Sequence, residues 1–70
     1  MNWKRIDSLV DLPRFGETVF LYGKDYNNDY PLVGSLETIN KRGNYFYIYE
    51  AGMETNLITH WAPMVELPKD

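Results

Sequence analysis

The stretch Ile58–Met64, ITHWAPM in one-letter code, holds the only histidine of the chain and one of its two tryptophans. Side chains alternate between the two faces of a β-strand, so His60 and Trp61 are expected on opposite faces. A tryptophan buries a large apolar surface, and Trp61 is therefore assigned to the core. Pro63 cannot donate a hydrogen bond to a sheet and biases Ala62 toward an extended backbone, so we expect strand pairing to end here.

Alternating apolar and polar residues predict that this stretch closes a series of strands. The expected strands span 17–22, 32–39, 45–50 and 55–62. The expected connections are a polar loop at 23–31, a hairpin turn at 40–44 and a turn at 51–54. Residues 7–12 predict one helical turn capped by Asp7, and Gly34 is expected to mark a bulge or a close backbone approach.

This pattern predicts a mainly all-β fold in a single domain at 1–70. The expected architecture is a small antiparallel meander of four to five strands curled into a half-barrel. At most one short helical turn is expected near the amino terminus. With 70 residues, folding buries only about 60% of the unfolded chain's surface, so dense aromatic packing or a homo-oligomer is expected to add stability.

The composition excludes several classes of function. No cysteine is present, which removes disulfides, thiolate metal sites and cysteine nucleophiles. The formal net charge of −3 argues against binding to long DNA or RNA, which requires many basic groups. No apolar run is long enough for a signal peptide or a membrane span, so we expect no membrane partner and a cytoplasmic location.

Three tyrosines alternate along the strand predicted at 45–50. Tyr45, Tyr47 and Tyr49 are expected on one face, with Phe46 and Ile48 facing the core. Exposed aromatic rings can stack on nucleic acid bases, so the row could bind a ligand. The alternatives are a self-association face or packing against the amino-terminal segment.

His60 has no partners that indicate catalysis or metal binding. A catalytic histidine requires a nucleophile and an orienting carboxylate, and no such set can be named. A second histidine or a cysteine is also missing for a zinc-type site. We therefore predict a protein that is not an enzyme and has no metal or cofactor, with His60 either structural or in contact with a phosphate or base edge.

Two further patterns are weak. Residues 25–29 offer oxygen ligands at alternate positions, but Tyr30 and Leu36 replace the glycine and glutamate of a calcium loop, which indicates a solvated loop. Arg14 and Arg42 have side chains that can grip a phosphate bidentately, although ordinary surface charge explains each of them as well.

Short motifs along nearly the whole chain resemble a family of small phage and prophage proteins of unknown function. They are Trp3, Leu-Pro at 12–13, Gly-Glu-Thr-Val at 16–19 and Thr-His-Trp-Ala-Pro-Met at 59–64. The family pattern ends in Thr-His-Trp-Met-Pro-Leu-Pro, and here Ala62 stands in place of Met and Met64 in place of Leu. The resemblance implies a phage origin. The chain is also similar in size and aromatic content to phage sponges, oligomers that trap nucleotide messengers of bacterial immunity.

The sequence and the resemblance together predict a phage-encoded, non-enzymatic anti-defence protein that sequesters a nucleotide-type signal in the host cytoplasm. The candidate ligand-binding residues are Trp3, Arg14, Arg42, Tyr45, Tyr47, Tyr49 and His60. The aromatic rings would stack on a base, while the arginines and His60 would hold phosphate or ribose oxygens. The alternative is a protein–protein inhibitor of a host defence enzyme that uses the tyrosine face or the acidic loop at 23–31.

Overall fold

The computed structural model describes residues 2–23 and 31–64, which form one antiparallel sheet. Its strands are β1 (Lys4–Arg5), β2 (Val19–Tyr22), β3 (Leu32–Asn40), β4 (Gly43–Ile48), β5 (Met53–Thr55) and β6 (His60–Pro63). A single turn of 3-10 helix, Leu9–Asp11, lies between β1 and β2. The all-β class and the short helical turn are therefore confirmed. The calcium-like pattern at 25–29 lies outside the described residues, as do most of the loop at 23–31 and the tail from residue 65.

The strands are ordered β1-β6-β2-β3-β4-β5. β2 to β5 form the predicted meander, whereas β6 returns to the other side of β2 and β1 pairs with the far edge of β6. The described residues thus form six strands rather than four or five, and the sheet is not closed into a barrel. No helix among these residues is long and apolar enough to cross a membrane.

The segment expected as one strand at 55–62 is divided in the structure. Thr55 ends β5 and His60 begins β6. The four residues between them connect β5, at one edge of the sheet, with β6, which lies beside β2. Ile58 is buried during this crossing and joins the core. The prediction of a continuous strand was wrong because Ile58 is apolar as a core residue of the connection, not as part of an alternating strand. The predicted end of pairing near Pro63 is confirmed.

One face of the sheet, the core face, carries the hydrophobic core. Its fully buried side chains come from β2, β3 and β4 and are Val19, Leu21, Leu36, Phe46 and Ile48. Ile6, Leu12 and Trp61 pack against this cluster, so the segment between β1 and β2 covers the core face. The opposite face, called the outer face, carries the residues that alternate with these.

The 3-10 turn is held on the core face by Asp11 rather than by the expected Asp7 cap. The Asp11 carboxylate accepts hydrogen bonds from the backbone N–H groups of Asp7 and Ser8, both at 3.0 Å. The Asp7 N–H contributes most to lowering the pKa of Asp11 below its ordinary value, with further contributions from Ser8 and Lys4. Trp61 Nε1 donates to the Asp11 carbonyl at 2.5 Å, which ties the turn to β6.

Gly34 lies where β3 and β4 approach closely, as one of the two sequence interpretations expected. A Cβ at this position would overlap the carbonyl oxygen of Tyr47 and lie 2.8 Å from Leu21 Cδ1. The β-bulge lies further along β3, where the register shifts between Leu36 and Thr38. Only glycine fits at position 34 without moving a neighbouring strand.

Candidate functional site

An aromatic cleft lies on the outer face where β1, β6 and β2 are neighbours. Its lining residues are Trp3, Tyr22 and His60, and its volume is about 290 Å³. The Tyr22 ring meets the Trp3 ring at a centroid distance of 6.2 Å and the His60 ring at 5.8 Å, both edge to face. Trp3 and Tyr22 remain 38% and 42% exposed, so their rings are accessible.

The strand register explains how residues so distant in sequence form one cleft. Tyr22 of β2 is paired directly with His60 of β6, which places both side chains on the outer face. Trp3 precedes β1 and reaches Tyr22 from the other side of β6. The residue in between is Ala62, which also lies on the outer face and is fully buried. The small Ala62 side chain therefore leaves room for Trp3 to cross over β6.

The His60 ring is oriented by its neighbour in sequence. Thr59 Oγ1 lies 2.8 Å from His60 Nδ1, and the Thr59 backbone N–H donates to the Tyr22 carbonyl at 2.9 Å. Because Nδ1 is engaged by the protein, Nε2 is the ring nitrogen available to a ligand. Both interpretations of His60, structural and ligand-contacting, are compatible with this arrangement.

The tyrosine row lies on the outer face, as the alternation predicted. Phe46 and Ile48 are fully buried on the core face. The centroids of the Tyr47 and Tyr49 rings are 5.8 Å apart. The amino-terminal residues Ile6 and Leu12 pack on the opposite, core face of the sheet. β4 is two strands away from β2, so the row begins about 10 Å from Tyr22 and is separate from the cleft.

Hydroxyl groups connect the tyrosine row to its neighbouring strands. Tyr49 Oη lies 3.2 Å from Thr18 Oγ1. Hydrogen bonding from Ser35, and next from Thr18, lowers the pKa of the Tyr49 phenol below its ordinary value. Ser35 is buried, and its single hydroxyl proton is donated to Glu37 Oε2 at 2.5 Å. The Thr18 contact orients the Tyr49 side chain. Tyr45 Oη lies 3.5 Å from Asn56 Nδ2.

A scan against models of known protein families, a search of curated proteins and a search of solved structures each found no match. The resemblance to a phage protein family therefore stays a prediction. The candidate site rests on the geometry of the chain itself.

The arginines chosen from the sequence lie away from the cleft. Arg14 is exposed on the segment that covers the core face, and Arg42 is exposed in the turn between β3 and β4. β3 is nine residues long, so this turn lies about 30 Å along the strand from the end nearest the cleft. Of the seven candidates, Trp3 and His60 are brought together, and the three tyrosines form a separate group.

Two residues were missed by the sequence interpretation: Tyr22, which lines the cleft, and Arg5, which lies on β1 across from His60. Tyr22 was recognised as a strand residue, and Arg5 is the cross-strand neighbour of His60. Their importance depends on the pairing of β6 with both β2 and β1, which no local sequence pattern reports. Within 2–23 and 31–64, no group of three or more His, Cys, Asp or Glu side chains is arranged to hold a metal ion.

Proposed function

We propose that this chain is a non-enzymatic binding protein whose aromatic cleft takes the planar group of a small nucleotide-type ligand. The observation that carries the proposal is the joining of the Trp3, Tyr22 and His60 rings around one cleft. Stacking of a base on an aromatic ring contributes about 1–3 kcal/mol, so more than one contact gives useful affinity. The volume of about 290 Å³ is near the lower end for small-molecule sites, so one ring system fits and the rest of the ligand lies outside.

The arrangement of the rings supports binding more than catalysis. The groups that line the cleft are a tryptophan ring, a phenol and one imidazole, and none of them is a carboxylate, a thiol or an amine. Such a site can hold and orient a flat molecule, and no carboxylate lines the cleft to orient His60 for catalysis. Sequestration of an intact ligand is the activity that these groups support.

The proposal is tested by measuring the thermal stability of the protein against a panel of cyclic and linear nucleotides. A ligand at about 1,000 times its dissociation constant stabilises the fold by about 4 kcal/mol. In a domain of this size that corresponds to a rise in Tm of roughly 16–30 °C. The bound ligand should be recovered chemically unchanged after heat denaturation.

Paired variants locate the site. Tyr22→Ala removes the central ring of the cleft and should abolish the ligand-induced rise in Tm. Tyr47→Ala removes a half-buried ring of similar size from the separate tyrosine row and should leave the rise intact. If Tyr47→Ala abolishes binding and Tyr22→Ala does not, the ligand stacks on the tyrosine row and the cleft assignment fails. No shift across the whole panel would refute nucleotide binding.

The outer face supports a second candidate, a protein-binding surface. Phe20 and Val33 are paired across β2 and β3 on the outer face and are half-buried, and the Tyr49 backbone N–H donates to the Val33 carbonyl at 3.0 Å. Tyr49 is 46% exposed at the end of this apolar row. Such a surface suits a second copy of the chain or, in the inhibitor alternative, a host enzyme.

Sedimentation equilibrium tests the first of these cases, the binding of a second copy. If a second copy binds here, the wild-type protein is larger than a monomer and Tyr49→Ser shifts the mass toward the monomer. A monomer at all concentrations would exclude the homo-oligomer. The phage origin, the anti-defence role and the cytoplasmic location are proposed on the family resemblance and the composition.

A further inference from the structure

A basic residue that the stacking model does not use lies on β1, directly across from His60 of the cleft. Arg5 of β1 is paired directly with His60 of β6, so both side chains project from the outer face. The preceding residue, Lys4, is paired with Trp61 and projects toward the core face, where its Nζ lies 4.0 Å from Asp11 Oδ1. Alternation along β1 thus places a guanidinium, and not the adjacent ammonium, beside the cleft.

The Arg5 guanidinium is oriented but not saturated. Its Nε donates to Asp7 Oδ1 at 3.0 Å, which fixes one edge of the planar group. The side chain is 73% exposed, and its terminal amino groups form no hydrogen bond with another residue in the described part of the chain. A guanidinium has five N–H donors in a rigid fork, so four of them are left for an acceptor outside the protein.

We infer that Arg5 and His60 form an anion subsite at the rim of the aromatic cleft, and that the ligand class is a nucleoside phosphate. This inference rests on the proposed function, because the base must occupy the cleft for its phosphate to reach the rim. The cleft holds one ring system, so the rest of a nucleotide projects outward past the cross-strand pair. Arginine binds phosphate bidentately, and His60 Nε2 supplies a further nitrogen on the same face.

The test compares nucleosides with their 5′-monophosphates by isothermal titration calorimetry. Adenosine with adenosine 5′-monophosphate and uridine with uridine 5′-monophosphate serve as probes, and inorganic phosphate alone is a third. The variants are Arg5→Gln and Arg5→Lys, with Arg42→Gln as the matched control for an exposed arginine far from the cleft. Circular dichroism confirms that each variant is folded, which is expected because the Arg5–Asp7 pair is exposed and such pairs contribute little to stability.

We expect a monophosphate to bind about 10- to 100-fold more tightly than its nucleoside, and Arg5→Gln to remove that difference. Arg5→Lys should retain part of it, because a point charge lacks the bidentate fork. Arg42→Gln should retain the whole difference in affinity. Added salt should weaken the binding of the monophosphate and leave the binding of the nucleoside unchanged.

Three results would overturn the inference. Equal affinity for nucleoside and monophosphate would refute the anion subsite while leaving the aromatic cleft intact. An equal loss in Arg5→Gln and Arg42→Gln would show diffuse electrostatic attraction rather than a subsite. Failure of every nucleoside and every monophosphate to bind would refute the proposed function together with this inference.

Discussion

Gly34→Ala tests the claim that β3 and β4 are held at close approach. The added Cβ would overlap the Tyr47 carbonyl oxygen and lie 2.8 Å from Leu21 Cδ1, whereas carbon atoms in ordinary contact are about 3.5–4.0 Å apart. Residue 34 has no positive φ, so the backbone conformation itself suits alanine. The whole effect of the substitution therefore comes from the missing space.

The cost follows from what must move. β4 has to shift away from β3, which weakens two or three sheet hydrogen bonds at about 0.5–1.5 kcal/mol each. Forcing Leu21 out of its packed position costs about 1–3 kcal/mol more, which is the usual cost of overpacking a core. The expected loss is roughly 2–7 kcal/mol, against a total stability of about 4–10 kcal/mol for a 70-residue domain. The variant should therefore be much less stable than the wild-type protein at 25 °C.

Gly16→Ala is the matched control, because position 16 has space for a Cβ but a positive φ, whereas position 34 has neither. An added Cβ at Gly16 meets nothing within 4 Å, but the residue has φ of 76°. Left-handed strain alone should cost about 1–2 kcal/mol. Urea unfolding followed by tryptophan fluorescence gives both values. If Gly34→Ala loses no more stability than Gly16→Ala, the close approach of β3 and β4 does not limit this position.

Three further predictions concern the core face. Trp61→Phe removes the donor to the Asp11 carbonyl and should lower the unfolding free energy by about 1–3 kcal/mol, whereas Trp3→Phe, outside the core, should change it far less; equal losses would contradict the role of the bond. Because the pKa of Asp11 is lowered, its contribution to the unfolding free energy is present above its unfolded pKa near 3.9 and is lost as pH falls through the folded pKa. Asp11→Asn should therefore be less stable than wild type at pH 7 and equal to it at the acid end of a denaturation series. A gap that stays constant with pH would refute this. Ile48→Val should cost about 0.5–1.5 kcal/mol by urea unfolding, and no loss would argue against tight packing there.

Local patterns were sufficient for the fold class and for the faces of individual strands. The alternation at Tyr45–Ile48 assigned each side chain correctly, because both faces of β4 have consistent surroundings. Gly34 was also recognised, because a glycine inside a strand has few explanations other than a bulge or a close approach. These features depend on a residue and its immediate neighbours.

The composition of the cleft depends instead on which strands are neighbours. Tyr22, His60 and Arg5 come together because β6 is inserted between β1 and β2, and antiparallel pairing between distant segments has no local sequence signal. The expectation of a continuous strand at 55–62 hid this insertion, since it left no residues free to cross the molecule.

The insertion of β6 also has a consequence for the order of folding. The β3–β4 hairpin closes through contacts that are near in sequence, and it carries the most extensive pairing in the sheet. The cleft forms only when segments from opposite parts of the chain meet, which costs the largest loop-closure entropy. We expect β1 and β6 to join late and to open first, with amide protons that exchange faster than those of the hairpin. A ligand in the cleft would then slow amide exchange mainly at β1 and β6. It would do so because it contacts Trp3 and His60, which come from distant parts of the sequence.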